Sequence, residues 1–75
     1  MTRARFCETL DRLGLPLSIV SFDGPGIGEC YAIEHGPEGW AVYYSERGSR
    51  VDERAFESES DALRYLLGWI IDHNH

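Results

Sequence analysis

The sequence contains no lysine: all seven basic residues are arginine, set against thirteen Asp and Glu, for a formal charge of −6. A P-loop needs Lys followed by Ser or Thr, so none is present. The glycine cluster DGPGIG at 23–28 is not GxGxxG either, because Glu29 stands three places after Gly26 and Tyr31 three after Gly28; it reads as a flexible turn. An acidic field repels phosphate backbones, which sets nucleic acid aside and favours a basic protein partner, although the same surface also serves solubility alone. There are only two cysteines, Cys7 and Cys30, enough for at most one bridge. They fall in separate elements expected to pack, so buried reduced thiols are expected, and with no signal-peptide pattern a cytoplasmic location. The longest strongly apolar run, LLGWII, is far below the roughly 20 residues that span a bilayer. Repeats, low-complexity tracts and linkers are missing.

What is present is a composition for folding. Hydrophobic residues make up 43% and aromatics 12%, so Trp, Tyr and Phe supply large burial per residue. Seventy-five residues form one domain, 1–75. A chain this short buries only about 60% of the surface its unfolded form exposes, so its stability is marginal and a partner would help it.

The spacing predicts a helix from Arg3 to Leu13, capped by Thr2, with Phe6, Leu10 and Leu13 on one stripe and a stop at Gly14-Leu15-Pro16. Two arginines in its first turn oppose the helix dipole, so that end needs an acidic neighbour. Four strands follow: LSIVSF at 17–22, ECYAIEHG at 29–36, WAVYYSE at 40–46, and RVDERAF at 50–56. GPEG and RGS are the tight turns between the last three, and Gly48 is able to take positive φ. The fourth strand is polar enough to belong at an edge, with Arg50, Asp52 and Arg54 alternating against Val51, Glu53 and Ala55. The period then switches to 3.6. Ser58 or Ser60 caps a helix whose stripe, Leu63, Leu66, Leu67 and Ile70, is widened by Ala62, Tyr65, Trp69 and Ile71. Such a helix must touch the sheet and also the first helix or a second chain, and Gly68 in its middle suggests a neighbour approaching closely. The expected fold is α+β: an N-terminal helix, a three- to four-stranded antiparallel meander, and a C-terminal helix packed on one sheet face.

Residues able to bind metal are Cys7, Cys30, His35, His73 and His75, in no recognised ligand spacing, and the terminal HNH reads as a solvated tail. No metal or other cofactor is expected. There is no GxSxG elbow, and Cys7 sits at the margin of the first helix's stripe. The carboxylates at 52–53 and 57–61 select nothing, since capping explains the second set. A domain this small also leaves little room for a water-excluding cleft of roughly 300 Å³ or more. A non-enzyme with no catalytic residue is therefore expected. One set remains: with Trp40, Val42 and Tyr44 toward the helices, Tyr43 falls on the other sheet face with Glu46, Arg47, Arg50, Asp52 and Arg54 on it or at its rim. Tyr and Arg are the currency of protein interfaces, and cross-strand pairing on a wet sheet face explains the same residues without a partner. Tyr65, Trp69 and Ile71 form a candidate self-association patch, so a homodimer is a further expectation.

The runs LDRLGLP, WAVYYSERGSR and FESESDALRYLL resemble small actinobacterial proteins carrying LDRLG-P, W-VYYSERG and F-(T/S)E-EA-RYLL. The resemblance covers Leu10 to Leu67, with YYSERG its most specific piece. Those proteins are encoded near secreted polymorphic toxins, including NAD-glycohydrolase domains of the necrotizing-toxin type. The resemblance therefore implies an immunity protein that binds and occludes a toxin domain. It transfers no catalytic residue, and DGPGIG matches no assignable motif. The alternative reading is a small non-enzymatic interaction or dimerisation module with a structural or regulatory role.

Overall fold

The computed structural model describes residues 1–24, 28–47 and 49–73. Its elements are α1 (Arg3–Arg12), a 3₁₀ turn (Leu17–Ile19), β1 (Val20–Phe22), β2 (Cys30–Gly36), β3 (Gly39–Glu46), β4 (Ser49–Phe56) and α2 (Glu59–His73). The expected α+β order is present, with a four-stranded sheet in the order β1-β2-β3-β4 and both helices on one face.

Local chemistry sets the helix ends. The Thr2 hydroxyl accepts from the Arg5 amide at 3.2 Å. At the other end Gly14 takes φ +75, and the amides of Gly14 and Leu15 donate to the carbonyls of Asp11 and Leu10, each at 3.0 Å. This is a Schellman motif, and it satisfies carbonyls the helix leaves orphaned. Arg3 finds the acidic neighbours its position demands, Glu59 at 3.3 Å and Asp23 at 3.8 Å. Ser58 caps α2 by accepting from the Asp61 amide.

The sheet departs from a pure meander. β1 pairs with β2 in parallel, Val20 opposite Tyr31 and Phe22 opposite Ile33. Parallel neighbours usually need a crossover of a dozen or more residues. Here β1 is only three residues long, so the chain has to travel back just about 10 Å. Asp23 (φ 70) and Gly24 (φ 121) begin that return, and both amides donate to the Ile33 carbonyl. Leu17–Ile19, expected as strand, instead forms the 3₁₀ turn that leads out of Pro16. Residues 25–27 of the glycine cluster lie outside the described residues, as does Gly48.

The other pairs are antiparallel, as expected. A two-residue turn joins Gly36 and Gly39, which are paired to each other, and fixes the register of β2 with β3. Gly39 is required: it has φ +127, and a Cβ there would lie 2.6 Å from the Phe56 carbonyl oxygen. The β3–β4 turn puts Arg47 at φ 51, in the left-handed region that primed hairpin turns use. β4 occupies the sheet edge, as its charge suggests. A bulge then interrupts its alternation: Val42 pairs with Arg54 and Tyr44 with Val51, so Tyr43 faces two residues, Asp52 and Glu53. Asp52 absorbs the extra length at φ 55.

The core joins Phe6 and Leu10 of α1 to Ala62, Leu63, Leu66 and Ile70 of α2, over Val20, Tyr31, Ile33 and Val42 of the sheet. Thus α2 meets both the sheet and the first helix. Gly68 does not mark a close neighbour within the chain, because it is exposed and an added Cβ would meet nothing within 4 Å.

Candidate interaction face

Alternation leaves one sheet face free of helices, carrying Cys30, Ala32 and Glu34 of β2, Ala41, Tyr43 and Ser45 of β3, and, after the bulge, Arg50, Glu53 and Ala55 of β4. Tyr43 lies at its centre with no solvent exposure. The Arg50 guanidinium sits over its ring, 4.4 Å from the centroid. Arg50 is itself held on both sides, with Nη2 2.6 Å from Glu34 Oε1 and Nη1 2.7 Å from Glu53 Oε2. Only the second contact has hydrogen-bond alignment; Glu34 Oε1 and the Tyr43 hydroxyl are buried without a well-formed bond among the described residues.

Electrostatics follow from this stacking. Burial first, and then the Glu34 carboxylate, push the Tyr43 phenol up to about 12. Tyr43 is therefore a neutral phenol at neutral pH and no base. Arg50 is held more firmly in its cationic form, first by its bond to Glu53. The cluster presents one fixed guanidinium between two carboxylates beside a shallow hollow of about 330 Å³, whose lining includes Glu34, Pro37, Arg50, Glu53 and Ala55. Such a surface can recognise a charge pattern. Because Arg50 is already ordered, less side-chain freedom is lost when a partner arrives.

The residues read as a contact set are thus dispersed. Tyr43 is covered and acts as the base on which Arg50 rests, not as an outward contact. Arg54 shares the face of Val42 and is separated from Arg50 by the bulge. Asp52 turns to a different hollow, beside Tyr31, Tyr44, Trp69 and His73. Glu46 and Arg47 are exposed at the end of the β3–β4 hairpin. Glu34 and Glu53 are the partners the sequence reading missed. The Gly36–Gly39 turn held the signal for Glu34, since counting back from it places Glu34 opposite Ala41, on the face of Tyr43.

The self-association set is not one continuous patch. Tyr65 packs on Phe56 and Trp69 on Tyr31, each with ring centroids 5.2 Å apart. Ile71 is 42% exposed but lies roughly 200° around the helix from Trp69. Cys7 and Cys30 are free thiols. His35 stacks on Trp40 at 4.5 Å. His73 is not a loose tail residue, because its Nδ1 lies 3.2 Å from the Tyr31 hydroxyl; His75 lies outside the described residues. Among the described residues no three His, Cys, Asp or Glu side chains are grouped to hold a metal ion, and no helix is long and apolar enough to cross a membrane. No protein-family model, curated protein or solved structure matches this chain.

Proposed function

We propose that this chain is a non-catalytic binding protein, and specifically an immunity protein that covers a toxin domain in the cytoplasm. The toxin assignment is supported by the motif resemblance, above all YYSERG. The observation that carries the binding role is Arg50, pinned by Glu34, Glu53 and the Tyr43 ring on a sheet face that neither helix covers. The neighbouring edge strand and the exposed Glu46 and Arg47 extend that surface. The negative charge suits a basic cleft on the partner and speeds capture. Co-expression with the toxin domain encoded by the adjoining reading frame tests the reading. Growth is restored by the native chain and lost again with Arg50→Glu at equal folded protein; no restoration by the native chain rejects it.

The exposed Tyr65 and Ile71 on α2 support a second reading, a homodimerising structural or regulatory module. Light scattering at increasing concentration separates the two, because dimerisation through α2 gives a mass that Tyr65→Ser lowers.

A further inference from the structure

At the end of the molecule where α2 terminates, a second group of residues converges. Tyr31, Tyr44, Val51, Asp52, Trp69 and His73 line a hollow of about 260 Å³. Tyr31 is nearly buried and meets Tyr44 and Trp69 edge to face, each with ring centroids 5.2 Å apart. Trp69 in turn meets His73 at 5.8 Å. An adjoining hollow of about 230 Å³ shares Tyr31, Tyr44 and His73 and adds Glu29.

The fixed charge here has one sign, with the titratable His73 lining both hollows. Asp52 lines the first hollow, Glu29 the second, and no arginine lines either. The Tyr44 phenol is raised, by burial first and then by the Glu29 and Glu46 carboxylates, so Glu46 joins Glu29 in acting on this end of the sheet. The last turn of α2 also ends at this hollow, and helix C-termini carry the negative end of the dipole. The β4 bulge is what brings Asp52 there, with a left-handed backbone that few non-glycine residues adopt.

Aromatic faces and carboxylates around a small hollow attract cations. The volume is below the roughly 300 Å³ at which sites for whole drug-sized ligands begin, so it suits a headgroup. A bare ammonium is tightly hydrated and loses water poorly against rings and Val51. An ammonium wrapped in methyl groups presents apolar surface to those walls and keeps its charge. We propose that the hollow between Trp69, Tyr44 and Asp52 binds an alkylated ammonium group, as carried by a methylated lysine side chain or a choline-like amine. The site is independent of the toxin reading and of the Arg50 face.

The test titrates the intact chain with tetramethylammonium and follows the two indole N–H resonances by NMR. Trp69 is expected to shift saturably while Trp40 stays in place as the internal control. Choline and a trimethyllysine peptide are titrated alongside, and the tighter of the two identifies the source of the headgroup. The neutral tert-butyl analogue of choline should bind at least about tenfold more weakly, since it fills the same space without charge. Asp52→Asn keeps the left-handed backbone, because Asn adopts it readily, and should weaken tetramethylammonium about three- to tenfold. Equal binding of the neutral analogue, an unmoved Trp69 resonance, or unchanged affinity in Asp52→Asn each overturns the site.

Discussion

Arg50 lies over the ring of Tyr43 at 4.4 Å, so the residue that the sequence offered as an outward aromatic contact is the support of an outward cation. This relationship organises the helix-free face. A buried phenol carries a guanidinium, and Glu34 and Glu53 fix its direction. Exposed ion pairs contribute little to stability, about 0–1 kcal/mol each. Replacing Arg50 by Ala is accordingly expected to lower the denaturation midpoint only slightly, largely through lost cover over the Tyr43 ring. Urea denaturation measures this.

The Tyr43 hydroxyl gives a pH prediction. Its folded value of about 12 lies above the ordinary 10.0, so the folded state holds this proton more tightly than the unfolded state. The corresponding stability is complete below pH 10 and is lost as pH rises from 10 through 12. Tyr43→Phe abolishes that part of the alkaline loss, leaving the contribution of Tyr44, which is raised as well. At pH 7 the same variant should be neutral or slightly more stable, because it removes a buried hydroxyl without a well-formed bond. Denaturant midpoints at pH 7 and above pH 10 for both proteins check the sign.

Gly68→Ala should stabilise the protein. The position is helical and open, and Ala is favoured over Gly in a helix interior by about 1 kcal/mol. For a domain of this size that raises Tm by roughly 4–8 °C. A fall in Tm would mean that something unseen, such as a second copy, packs against the glycine.

Gly39→Ala should do the opposite. The new Cβ would clash with the Phe56 carbonyl oxygen, and φ is +127. A loss of at least about 2 kcal/mol is expected by chemical denaturation.

Much of the fold was legible because local signals agreed. Thr2, the Gly14–Leu15–Pro16 stop, the Gly36–Gly39 turn and the α2 stripe each act within a few residues, and each is where it was expected. Three features were not legible, for different reasons. The parallel pairing of β1 depends on how short that strand is, which a β-rich run at 17–22 conceals behind its 3₁₀ half. The bulge at Asp52 leaves no mark on the apparent alternation Arg50-Asp52-Arg54, yet it sends Arg54 to the opposite face from Arg50. Gly68 looked like a contact and is open. At the candidate face the sequence supplied Arg50 but not its clamps, since Glu34 belongs to another strand and Glu53 reaches the face only through the bulge.

The bulge itself can be probed. Asp52→Val forces a β-branched residue into left-handed backbone and should cost about 1–3 kcal/mol, whereas Asp52→Asn should be close to neutral. Equal stability of the two variants by thermal denaturation would place the extra residue of β4 elsewhere.

Calorimetric titration of the proposed toxin partner, taken from the adjoining reading frame, with native chain and Arg50→Ala tests the proposed binding role most directly. The account predicts saturable one-to-one binding by the native chain and at least about tenfold weaker binding by a folded Arg50→Ala. Absent heat with the native chain, or equal affinity for both, would contradict it.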